Sequence, residues 1–171
     1  HRKRRTESKR ETRMPETIAD RLTALGISLP EAAAPAANYL PAVTAGNMLY
    51  TSGQLPLRDG ALIATGLLGR DLDVEAGQEA ARACAINILA QAKSLLGDLE
   101  RIEHIVKISV FVASTPDFTQ QHLVANGASD LLVEILGDSG RHARSAVGMA
   151  SLPLNAPVEI EAIIRYSAAF A

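Results

Sequence analysis

A single cysteine, Cys84, stands in a chain of 171 residues. That excludes an internal disulfide and any metal site built on several thiolates. An excess of charge of one sign is missing too, since 17 Lys and Arg against 19 Asp and Glu leave a net charge of −2. No global basic field is therefore available to draw the protein onto nucleic acid or an anionic membrane. No apolar run reaches the roughly 18 residues needed to span a bilayer, and no charged start leads into a long apolar segment, so export is unsupported and a cytoplasmic location is expected. The four histidines, at 1, 104, 122 and 142, show no metal-ligand spacing and read as surface or packing residues.

What the chain does have is apolar content. At 47% over this length it suits one globular domain with a sizeable core and is too short for two ordinary ones. The first thirteen residues, HRKRRTESKRETR, are almost wholly polar and carry seven basic side chains. Met14 followed by PETIADRLTALGISLP reads as a natural start, so residues 1–13 are expected to be a disordered basic tail of upstream or non-native origin, and residues 14–171 the single domain. Ile18, Leu22 and Leu25 recur at helical spacing before Gly26, which predicts a short helix ahead of the linker LPEAAAPAANYLP.

Beyond the linker, AVTAGNMLYTSGQLPL places a Gly-Asn turn between two β-prone runs and predicts a hairpin; a second turn, RDG, follows at 58–60. Asp71 or Asp73 can cap a helix over about 74–96, with Val74, Ala81, Cys84, Ile88, Ala92 and Leu95 as its stripe and Gly97 as its stop. Cys84 on that stripe reads as a packed small hydrophobe. In RIEHIVKISVFVAS, Val106, Ile108, Val110 and Val112 fall on one strand face and Lys107, Ser109 and Phe111 on the other. A second helix follows, capped by Thr115 or Asp117, with Asn126-Gly127 disturbing it. The stretch ARSAVGMASLPLNAPVEIEAI then gives two strands joined by SLPLNAP. Hairpin, helix, strand, helix, strand, strand is the order of an α+β sandwich of two layers, with two helices on one face of a mostly antiparallel or mixed sheet.

The other sheet face raises the functional question. Val158, Ile160, Ala162 and Ile164 in the last strand, and Val147 and Met149 in the one before, are expected to face the helices. The opposite set then mixes Phe111, Ile163 and Ala146 with Lys107, Arg144, Glu159 and Glu161. A half-apolar, half-charged face with no helix left to cover it reads as an oligomer interface enclosing polar pockets.

The segments APAANYLPAV, GNMLYTSGQLP, VKISVFVAS with PDF, and above all ARSAVGMASLPLNAPVEIEAI, resemble the reactive-intermediate deaminase (Rid) family, long labelled L-PSP endoribonuclease. The resemblance spans roughly residues 34 to 166. It implies a chorismate-mutase-like fold, a homotrimer around a central barrel, and a small-molecule site in each cleft between subunits. It also implies that Arg144 grips a substrate carboxylate and that Glu159 orients the hydrolytic water. Tyr39, Ser52 and Asn126 would line the pocket beside Ser145 and Ala146, and Gly53 would supply a backbone contact. Two departures stand out: Ala146 replaces a cysteine frequent in the family, and the segment from Asp117 to Arg144 is a few residues longer.

The residue chemistry agrees with that reading. Arginine's planar fork binds a carboxylate through two parallel hydrogen bonds and stays charged in a cleft. A 2-imino acid carries such a carboxylate beside an electrophilic C=N carbon. Its hydrolysis to a 2-oxo acid and ammonia needs a positioned water and a proton acceptor, a task for a glutamate raised in pKa by burial; no metal or organic cofactor is required. Periodicity alone does not separate Glu159 from Glu161; the resemblance does. Three classes are carried forward: a trimeric imine or enamine deaminase, a non-catalytic or chaperone-like trimer binding a small carboxylate metabolite, and, ranked last, a ribonuclease. RHAR at 141–144 is the sole local basic cluster for RNA, and it lacks interleaved aromatics.

Overall fold

A two-residue turn through Gly46, at φ 59°, folds β1 (Ala42–Ala45) back onto β2 (Met48–Thr51), as the Gly-Asn signal predicts. The structure is a computed structural model describing residues 17–34 and 37–168. The basic tail expected at 1–13 lies outside the described residues. A short helix, α1 (Ile18–Ala24), begins at Thr17, whose side chain accepts from Asp20 N. The RDG turn closes a small separate ribbon of β3 (Leu57–Arg58) and β4 (Ala61–Leu62).

Helix α2 (Val74–Leu96) is capped by Asp73, which accepts from Ala76 N at 2.8 Å, and ends at Gly97 with φ 82°. Asp71 instead accepts from Leu67 N and pairs with Arg70. Ala81, Cys84, Ile88 and Ala92 are buried as the stripe predicts, whereas Leu95 is exposed and Leu96 takes its place. Burial raises the Cys84 thiol well above its usual pKa, in keeping with packing rather than nucleophilic use.

In β5 (Ile102–Ala113) a register shift between Ile105 and Lys107 interrupts the alternation, so Ile105 is buried and Val106 only half so. Helix α3 (Gln121–Leu136) starts later than Thr115 or Asp117 would place it, because 115–118 close a turn through Phe118 N to Thr115 O. Asn126-Gly127 does not break α3. A Cβ at Gly127 would collide with the Gln78 carbonyl of α2, so the glycine lets the two helices touch.

With β6 (Ala143–Met149) and β7 (Val158–Tyr166), the main sheet runs β1–β2–β7–β5–β6. Only β5 and β6, linked through α3, are parallel. One sheet face, with Leu49, Ile108, Val110, Val112, Ile160 and Ile164, forms the core with α2 and α3. The fold is therefore the two-layer α+β arrangement with a mixed sheet. Among the described residues no helix is long and apolar enough to cross a membrane.

The sheet register corrects one expectation. Arg144 pairs with Ile108, Ala146 with Val110 and Gly148 with Val112, so Arg144 and Ala146 point to the helix side and Val147, 42% exposed, to the open side. The open face carries rows running across the strands: Glu159, Phe111 and Val147; Glu161, Ser109 and Ser145; Val43, Tyr50, Ile163 and Lys107.

Candidate functional site

Glu159 sits on the open face of β7, opposite Phe111. The bridge between Gln54 and Ile160 brings residues 52–54 alongside it. Gly53 lies so close that a Cβ there would overlap Glu159 Oε1, leaving the Gly53 backbone bare against the carboxylate. Ser52 Oγ donates to the Leu40 carbonyl at 2.6 Å and Ser52 N to the Pro41 carbonyl at 2.8 Å. These bonds fasten the end of the linker, and with it the exposed Tyr39, to the strand end beside Glu159. Burial first, and the neighbouring Glu161 second, raise the Glu159 pKa above the ordinary carboxylate value. This carboxyl is more ready than a surface glutamate to take up a proton.

Arg144 belongs to a second patch, on the helix side of the edge strand. Its Nη1 donates to Asn126 Oδ1 at 2.9 Å and to Ser129 Oγ at 3.1 Å, and Nη2 donates to the His122 carbonyl at 3.3 Å. Residues 122, 126 and 129 follow the i, i+4, i+7 spacing of one helix face, so an unbroken α3 presents three acceptors to one guanidinium. The Nε–H makes no hydrogen bond among the described residues. With the remaining Nη2 proton it forms a free edge able to take a carboxylate side-on. Ala146, two residues along the same strand face, packs against the core.

The eight residues singled out in the sequence thus fall into groups. Tyr39, Ser52, Gly53 and Glu159 gather around the open face of β7; Asn126, Arg144 and Ala146 gather between β6 and α3. Ser145 points away from Arg144, onto the open face in the row of Glu161 and Ser109. Arg144 and Glu159 project from opposite sides of the sheet, so one chain does not bring them together. Ser129 and His142 were not singled out; the helical spacing from Asn126 would have found Ser129, and RHAR contains His142. Among the described residues no cluster of His, Cys, Asp or Glu is suited to hold a metal ion.

A mixed five-stranded sheet under two helices, with an arginine held on its edge strand and a half-buried glutamate on its open face, defines an α+β protein of the chorismate-mutase-like class. Residues 19–163 match the family described as "YjgF/chorismate_mutase-like, putative endoribonuclease", and the chain belongs to that family. It is similar to protein TCP17 of Trypanosoma cruzi, 52% identical over 86% of this chain and 93% of the relative. A 2-iminobutanoate/2-iminopropanoate deaminase of Dermatophagoides farinae is 34% identical over 81% of this chain and 93% of its own. Among solved structures, the protein Atu1372 of Agrobacterium tumefaciens, described as of unknown function, superposes with a TM-score of 0.83 at 56% identity, covering 88% of this chain and 92% of that one.

Proposed function

We propose that the protein hydrolyses 2-imino acids to 2-oxo acids and ammonia in a homotrimer, at sites completed between neighbouring subunits. The observation that carries this reading is the separation of the two patches: an anion grip faces the helices at one sheet edge, and a proton acceptor faces outward from the open side. Each patch lacks what the other has. The open face also exposes Val43, Tyr50 and Val147, the apolar surface a second copy would cover.

In the proposed site the substrate carboxylate lies along the free edge of Arg144, which leaves the imine carbon toward the Glu159 of the next subunit. Water attacks that carbon and gives a proton to Glu159. Glu159 hands that proton to the imine nitrogen, giving a neutral amino alcohol; it then takes the proton of the new hydroxyl and passes it to the nitrogen, so that the C–N bond breaks and ammonia leaves as the C=O bond forms. Substrate and water account for every product atom, and Glu159 returns to its starting state. Asn126 and Ser129 keep the arginine aimed, and Gly53 gives room for Glu159 to approach the water.

The ribonuclease reading is disfavoured by the placement of the local basic run. Arg144 is turned onto α3, and Arg141 stands 3.4 Å from Asp138. Neither presents the open basic stripe that a phosphate backbone requires.

The reading is tested by following ammonia and 2-oxo acid release from 2-iminobutanoate generated in place by an amino-acid oxidase. The rate above buffer is expected to rise in proportion to the protein added. A rate that stays at the buffer value would favour a trimer that binds small carboxylates without turning them over.

A further inference from the structure

His142 takes no part in the chemistry proposed above, yet both of its ring nitrogens are engaged. Nδ1 lies 2.6 Å from the Gly140 carbonyl and Nε2 2.8 Å from Ser129 Oγ. Elementary donor and acceptor rules order the whole chain. A guanidinium only donates, so Ser129 Oγ accepts from Arg144 Nη1. A carbonyl only accepts, so the His142 proton sits on Nδ1 and points at Gly140. Nε2 is then a bare acceptor, and the Ser129 hydroxyl donates to it. One polarised relay runs from Arg144 through Ser129 and His142 to Gly140. Burial lowers the imidazole pKa, opposed by the Gly140 bond and aided by the positive Arg144 and by His104, which favours the neutral ring this order requires.

The far end of the relay is anchored. A Cβ at Gly140 would run into the Leu132 carbonyl, so the carbonyl that orients His142 belongs to a segment pressed onto α3, the helix that carries Ser129 and Asn126. Without Ser129, the guanidinium keeps Asn126 at Nη1 and the longer 3.3 Å bond from Nη2 to the His122 carbonyl, and one Nη1 proton loses its acceptor. Ser129, at 3.1 Å, completes the set that fixes the plane, and its hydroxyl is held by His142. A ligand bound through two parallel hydrogen bonds is sensitive to that plane.

We infer that His142 is a positioning residue for the carboxylate grip, acting through Ser129 to fix the plane of the Arg144 guanidinium. The inference rests on the binding role proposed for Arg144, and its test has one arm that needs no ligand. In that arm the Nε–H resonance of Arg144 is followed by nitrogen-resolved NMR in wild type, Ser129→Ala, His142→Leu and His142→Gln. It is expected to stand apart in the wild type and to collapse toward the position of solvent-exposed arginines in Ser129→Ala and His142→Leu. His142→Gln, whose amide oxygen can accept from Ser129, is expected to restore it.

In the second arm the same proteins are titrated with 2-oxobutanoate. Kd should rise roughly 3- to 10-fold in Ser129→Ala and in His142→Leu, the scale of one lost hydrogen bond. The double variant should bind no worse than Ser129→Ala alone, because His142 acts only through that hydroxyl. An unchanged Arg144 resonance in a folded His142→Leu protein, or additive losses in the double variant, would overturn the inference. A wild type that fails to bind 2-oxobutanoate contradicts the proposed function instead, and the NMR arm then decides the positioning role by itself. If His142→Leu does not fold, Ser129→Ala and His142→Gln carry the same comparison.

Discussion

Arg144→Lys is expected to weaken binding of a 2-oxo acid by about 1.5–3 kcal/mol, or roughly 10- to 150-fold, although the charge is kept. In the proposed site the guanidinium serves two sets of partners at once. Three acceptors on α3 take Nη1 and one proton of Nη2, and the opposite edge stays free for the ligand. A lysine ammonium has three donors radiating from one atom and cannot satisfy the helix while offering two parallel bonds outward. The substitution also loosens the tie between β6 and α3, so a modest fall in melting temperature is expected beside the larger fall in affinity. Isothermal titration with 2-oxobutanoate, alongside a thermal melt, separates the two. Wild-type affinity in Arg144→Lys would reduce the arginine to a brace between strand and helix.

Glu159→Gln is expected to leave carboxylate affinity within about twofold of the wild type and to cut ammonia release by 10²-fold or more, the range for loss of a general base. It should also stabilise the protein at neutral pH. The folded-state pKa of Glu159 is raised, so folding favours the protonated carboxyl. That preference contributes stability in full below the unfolded value of about 4.5 and is lost as pH rises through the folded value. At pH 7 the ionised glutamate is therefore a burden on the folded state, and glutamine removes it. Melting curves from pH 4 to 8 should show the variant above the wild type at neutrality and the gap closing toward pH 4. Full turnover in the variant, or a variant no more stable at pH 7, would count against the role given to this carboxyl.

Much of this could be seen in the sequence, and what could not has physical causes. Helix α2, strand β5 and strand β7 were legible because their two faces differ sharply: Val158, Ile160, Ala162 and Ile164 leave no doubt about which side is dry. Strand β6 offers no such contrast. Its two alternating sets are Arg144, Ala146 and Gly148 against Ser145, Val147 and Met149. The apolar rule chose the second set for the core, and the register chose the first. An edge strand is only partly covered, so a small alanine, a bare glycine and an arginine reaching for helix acceptors can all sit on its helix side. A period of two tells which residues share a face, never which face it is. The bulge near Val106 and the turn that delays α3 to Gln121 likewise leave no mark on composition.

The same ambiguity hid the main feature of the site. Arg144 and Glu159 lie in neighbouring motifs and read as partners on one surface. The pairing of Arg144 with Ile108 and of Glu159 with Phe111 puts them on opposite faces. An intermolecular site, which the resemblance implied, becomes a geometric requirement if both residues serve one substrate.

Mixing the two impaired variants, assayed at substrate well below the Kd of Arg144→Lys, tests that requirement most directly. Arg144→Lys and Glu159→Gln chains are unfolded together in equal amounts, refolded as mixed assemblies, and assayed for ammonia release. A site that takes its arginine from one subunit and its glutamate from the next finds both intact in about a quarter of random pairings, so activity near a quarter of the wild type is expected. Mixed assemblies as inactive as either variant alone, while wild-type chains refolded the same way regain full activity, would contradict a site shared between subunits.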